Sequence, residues 1–196
     1  MENVYHAPQS DIETEDTKKI EFYAVSPLKF TVLFLSTLGI YQIYWNYKNW
    51  RLIKTQHNLK IWPVGRSIFS IFFITSLLKR VDSRLIEAKL NHQWRPVLIA
   101  NVYIIFSVAG SVCDRLADKE IGVPFTLFVS TLILPVVWFY LHKAQLAINL
   151  ALGDPAGESN ARFTAANIFW IVLGVLLWLM AGLGLMEALG FINLEG

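Results

Sequence analysis

Apolar positions in this chain gather into long uncharged runs separated by short polar stretches, the pattern of helices buried around most of their circumference. The first run, Phe30 to Tyr47, holds 18 residues without a charge and is broken at Thr37 and Gly39. Its length approaches the roughly 20 residues that cross a bilayer core. It passes into Tyr44, Trp45, Tyr47 and Trp50, backed by Lys48, Arg51 and Lys54. Flat polar-tipped rings and long amines favour the headgroup level, so the stretch predicts a membrane segment ending in an interfacial anchor.

Four further stretches repeat the theme. Ser67–Leu78 offers only 12 uncharged residues between Arg66 and Lys79, about 18 Å of helix, too short for a core of about 30 Å. It predicts a re-entrant, interfacial or bundle-packed piece. Lys79–Trp94 then reads as a separate amphipathic surface helix, with Val81, Leu85 and Leu90 on its apolar side. Val97–Val112 and Val123–Leu141 read as spans, the second opened by Pro124 and kinked at Pro135, with Ala144–Leu152 able to extend it. After the turn-rich loop 153–162, Asn160 or Thr164 caps a last span running from Phe163 through Met186.

Composition agrees with this pattern. Hydrophobic residues make up 55% of the 196 positions and charged residues only 16%, against about a quarter charged in soluble domains. The expected fold is all-α: an integral membrane helical bundle with three to four full spans plus one or two short re-entrant or interfacial helices. Residues 1–21 are expected to be a flexible acidic N-terminal tail without a cleaved signal, and 22–196 the helical membrane domain. Seventeen Lys and Arg leave a net charge of only +2, so their placement carries more information than their sum. If the two early segments only dip into the cytoplasmic leaflet, fifteen cations lie inside and two outside; other arrangements divide them less unequally. Length argues instead that the first run crosses, which leaves three and four spans both open. The side of the N-terminus stays open with them. The expected location is the bacterial inner membrane, with residues 48–96 and 142–162 cytoplasmic and the C-terminus periplasmic.

Chemistry-bearing residues are sparse. The lone Cys113 excludes an internal disulfide, and His6, His57, His92 and His142 lack metal-ligand spacing. No phosphate-binding glycine loop or nucleophile elbow occurs. The expectation is therefore no catalytic residue, no cofactor, no metal and no nucleic-acid partner. Lipid-headgroup or interfacial contacts fall to Trp45, Lys48, Trp50, Arg51, Arg66 and Arg80, whose cations suit anionic lipids. Arg66, after Pro63-Val64-Gly65 at the mouth of a short apolar helix, is placed to hold a phosphate or a bundle carboxylate. Gln42, Asn101, Asn149, Asn160 and Asn167 are the candidate polar contacts between helices.

FYAVSPLKF (22–30), STLGIYQIYWNYKNW (36–50) and WPVGRSIF (62–69) together resemble a family of small bacterial inner-membrane proteins. That family carries a Tyr-x-Val-Ser start, a Thr-x-Gly-x-Tyr-x-x-Tyr-Trp run, a Lys-Asn-Trp exit and a Pro-x-x-Arg-x-x-Phe segment. The matching positions are Val25, Ser26, Thr37, Gly39, Tyr41, Tyr44, Trp45, Lys48, Asn49, Trp50, Pro63, Arg66 and Phe69, with Asn160, Phe163, Thr164 and Asn167 before the last helix. The resemblance implies a membrane location and a bacterial setting, and supplies no reaction.

The leading expectation is a non-enzymatic accessory, assembly or protective protein, acting through helix and lipid contacts with a membrane-protein partner or a second copy. The alternative is a small transporter or channel for an uncharged or anionic solute, using Gln42, Asn101, Thr131 and the Pro135 kink. An enzyme acting on lipid headgroups ranks last, because no carboxylate or histidine cluster is visible.

Overall fold

The computed structural model describes residues 21–90 and 92–193. Most of the expected acidic tail lies outside the described residues, although Glu21 is held 2.7 Å from His57. No strand occurs among the described residues, which form seven α-helices: α1 (Pro27–Ser36), α2 (Tyr41–Gln56), α3 (Pro63–Ile68), α4 (Ser70–Glu87), α5 (Pro96–Ala117), α6 (Phe125–Ala151) and α7 (Ala165–Ala188).

Local chemistry sets several of the starts. Pro27, Pro63 and Pro96 stand in first turns, where a missing N–H costs nothing. Ser26 Oγ accepts from Lys29 N, and Thr164 and Asn167 form a reciprocal capping box on α7. Asn160 does not cap α7; it lies in a single 3-10 turn, Glu158–Asn160.

The first uncharged run is not one helix. α1 ends in a Schellman-type turn, with Gly39 N donating to Phe34 O at 2.9 Å and Leu38 N to Leu35 O at 3.3 Å. Leu38 (φ 50°) and Gly39 (φ 82°) are both left-handed there. Thr37 Oγ1 then accepts from Tyr41 N at 3.0 Å, and Trp178 Nε1 donates to Leu35 O at 2.8 Å. The break therefore leaves few unmet backbone groups.

The depth of the turn follows from its neighbours. Ser36 abuts Gly174, nine residues into α7, and Gly39 faces Leu134, about 14 Å along α7 at 1.5 Å per residue. Before the turn Val25 meets Asn149, and after it Trp45 meets Gln145. Both arms of this hairpin therefore end at the same end of α6. The first run therefore supplies no single helix of crossing length, because α1 has 10 residues, about 15 Å, and the chain turns back.

Three helices are long and apolar enough to cross a membrane: α5 with 22 residues, α6 with 27 and α7 with 24. α5 and α6 pack along each other, α4 lies against both, and α1 sits between α6 and α7. Two expected boundaries vanish. α4 runs unbroken through Leu78–Lys79, burying Ile74, Leu77, Leu78, Val81 and Leu85 on one face, so the short apolar piece and the amphipathic helix are one element. α5 likewise continues past Cys113 to Ala117.

The core is concentrated at one end, where α1, α2, α4, the start of α5 and the last turns of α6 meet. Elsewhere apolar side chains face outward: Ile105 and Val112 on α5, Phe125 and Leu132 on α6, and nearly all of α7.

Candidate functional site

At the core end, residues 21–26 form neither helix nor strand and take most of their backbone hydrogen bonds from side chains, Ser26 N alone donating to a backbone carbonyl, that of Asn160. Asn149 Nδ2 donates to Val25 O at 2.9 Å while its Oδ1 accepts from Val25 N at 3.3 Å, the pairing a neighbouring strand would give. Gln145, one turn earlier on the same face of α6, donates from Nε2 to Tyr23 O at 3.1 Å and to Asn149 Oδ1 at 2.7 Å. Its Oε1 accepts from Trp45 Nε1. Asn49 Oδ1 accepts from Tyr23 N at 3.0 Å, and Asn160 Nδ2 donates to Ala24 O at 2.8 Å. Three separate parts of the chain thus converge on one peptide segment.

The loop 153–162 closes this cradle. Gly157 sits so near the peptide that a Cβ would stand 2.5 Å from Val25 O. Asp154 holds the loop in shape, accepting from Ser159 Oγ at 2.6 Å and from Glu158 N at 2.9 Å. The Ser159 hydroxyl leads the causes that hold the Asp154 carboxyl below the usual aspartate value. Lys29 crosses beneath, donating from Nζ to Asn160 Oδ1 and Arg162 O, both at 2.7 Å. Burial lowers the pKa of Lys29.

The second feature is a basic, aromatic face. Arg66 lies over Trp50 at 4.4 Å and Phe73 at 4.9 Å, a cation held by two rings, and has no carboxylate partner among the described residues. Burial first, then the like charge of Arg80, works against its charged form. Arg80 lies near Lys79, Thr75 and Ser76 around a shallow open groove on α4. Lys48 Nζ stands 5.3 Å from the Tyr23 ring centroid, and Arg51 is exposed.

The expected lipid-facing set is thereby divided. Lys48, Arg51, Arg66 and Arg80 keep some or full exposure, whereas Trp45 and Trp50 are wholly buried. Neither ring can meet a headgroup: Trp45 is spent on Gln145, and Trp50 forms the floor under Arg66. The polar set also divides. Asn149 and Asn160 join the cradle, Asn167 serves the cap of its own helix, Asn101 is exposed on α5, and the buried Oε1 of Gln42 meets no partner.

Gln145 and Lys29 were not legible as functional positions. The one available signal was Gln145 four residues before Asn149 in an apolar helix, a spacing that puts both amides on one face. No group of three or more potential metal ligands occurs among the described residues. No family model, curated protein or solved structure matches this chain.

Proposed function

We propose that the chain is a non-enzymatic bacterial inner-membrane protein, an accessory or protective partner that works through helix and lipid contacts. α5, α6 and α7 cross the bilayer, the α1–α2 hairpin dips into it from the cytoplasmic side, and the cationic face of α2–α4 lies against the anionic leaflet. The observation that carries this reading is the polarity of the molecule along its length. Apolar side chains point outward over the three long helices, while Arg51, Arg66, Lys79 and Arg80 stand on α2, α3 and α4, the helices about the core end. Outward-facing apolar surface of that extent needs lipid or protein around it. Fifteen of the seventeen Lys and Arg then fall on the cytoplasmic side.

The hairpin supports the same placement, since its turn is covered by α6 and α7 and most of its backbone groups are met within the protein. The solute-pathway alternative draws no support from Asn101 or Thr131. Asn101 faces outward, and Thr131 Oγ1 bonds back to Leu127 O at 2.8 Å within its own helix.

Native mass spectrometry of the detergent-purified protein tests the reading. Anionic phospholipid is retained in preference to zwitterionic, and Arg66→Gln with Arg80→Gln removes that preference. Equal retention of both lipid classes, with no protein partner bound, contradicts it.

A further inference from the structure

α1, the start of α2, α3 and the first turns of α7 line a half-open cavity of about 490 Å³. Its walls include Leu33, Ile40, Val64, Ile68 and Trp170, so most of the interior is apolar. Thr37 and Ile40, in the break between α1 and α2, belong to its lining, and the Ser36–Gly174 contact holds α7 against α1 beside it. The size lies within the roughly 300–1,000 Å³ of small-molecule sites, enough for one aliphatic chain and tight for two.

One side of this cavity is polar, and a cation stands behind its tyrosine wall. Tyr44 lines it, packs edge-on against Tyr23 at a centroid distance of 6.0 Å, and Tyr23 in turn carries Lys48. Lys48 has no carboxylate partner among the described residues. Tyr41, 7% exposed, also lines the cavity; its hydroxyl lies near that of Tyr23 without completing a hydrogen bond. A buried phenol lacking a partner is costly and is relieved by an acceptor.

We infer that this cavity binds a single-chain anionic amphiphile of the fatty-acid class, its chain against Leu33, Val64 and Ile68 and its carboxylate on the Tyr44–Lys48 side. A wholly apolar guest would leave the Tyr41 hydroxyl unmatched, and a headgroup without a chain would leave the apolar wall empty. The inference deepens the lipid-contact reading above, on which it rests, by naming a lipid class and an internal site.

Titration of the full-length protein in detergent with the fluorescent fatty acid cis-parinaric acid tests it. The expected result is saturable one-to-one binding, about fivefold weaker for the methyl ester, the ratio one cation beside an anion supplies. Lys48→Gln removes the acid–ester difference and spares the ester. Ile68→Trp, placed to fill the cavity, abolishes binding of both. Unsaturable partition, or acid and ester binding alike to the parent protein, overturns the inference. If Ile68→Trp fails to fold by circular dichroism, Lys48→Gln still decides. Anionic phospholipid retention is read on the same samples. Its loss with parinarate binding intact defeats the preceding reading alone, and the reverse defeats only this one.

Discussion

Asn149 grips the peptide group of Val25 from both sides, donating to its carbonyl at 2.9 Å and accepting from its N–H at 3.3 Å across 124 residues of sequence. One carboxamide thereby supplies what a whole strand supplies elsewhere, and fixes where the chain begins its descent into the bundle. Asn149→Leu keeps comparable bulk but leaves Val25 N, Val25 O and one Gln145 proton without partners in a fully buried place. Buried groups left unpaired cost about 1–3 kcal/mol each, so a loss of about 2–4 kcal/mol is expected after partial relaxation. Denaturant unfolding in detergent measures it.

Gly174 and Gly182 look alike in sequence and differ in place. A Cβ at Gly174 would overlap the carbonyl oxygen of Ser36, whereas Gly182 has nothing within 4 Å. Gly174→Ala therefore pushes α7 off α1 and weakens the Trp178 bond to Leu35, at about 1–3 kcal/mol. Gly182→Ala stays within about 0.5 kcal/mol of the parent. Thermal unfolding of the two variants side by side separates a helix-crossing glycine from an idle one.

The turn at Leu38–Gly39 carries backbone strain at a leucine with φ 50°. Left-handed conformation costs a non-glycine residue about 1–2 kcal/mol. Leu38→Gly is expected to raise the melting temperature if the lost side-chain contacts are worth less than that relief. Gly39→Ala, with φ 82° and a Cβ 3.1 Å from Leu134 Cδ1, lowers it. An Ala variant as stable as the parent contradicts the turn geometry.

Asp154 gives an acid-side signature. Its folded pKa is depressed, so the stability it contributes is present above the unfolded aspartate value and is lost as pH falls through the folded one. Ser159→Ala removes the leading cause and flattens the melting temperature against pH in the acid range below about pH 4. An unchanged acid limb in that variant contradicts the loop-holding role.

Much of the helix plan was legible in the residues, and the site was less so. α5, α6 and α7 announce themselves by uncharged length, and Thr164 three residues before Asn167 announces a cap. The hairpin remained open because 18 uncharged residues suit a crossing helix and Gly39 permits a turn without requiring it. What closes the question is tertiary: the Trp178 indole and the left-handed Leu38–Gly39 pair. Tryptophan misled for a related reason. Trp45, read from sequence as part of the interfacial anchor, spends its indole N–H on Gln145 and ties two helices together, as Trp138 and Trp178 do through Thr31 and Leu35. Asn149 was visible as a polar residue in an apolar helix, but its partner is a backbone segment far away in sequence, which no local periodicity reports.

The proposed re-entry of the α1–α2 hairpin is tested most directly by one-sided cysteine labelling. In a Cys113→Ser background, Leu28→Cys before the turn and Lys54→Cys after it, both exposed positions, are labelled in right-side-out and inverted vesicles with a membrane-impermeant maleimide. A hairpin that dips and returns gives labelling of both from the cytoplasmic face, while Ile121→Cys between α5 and α6 reacts only from the opposite face. Labelling of Leu28→Cys and Lys54→Cys from opposite faces would mean that the first run crosses the bilayer, contrary to the placement proposed.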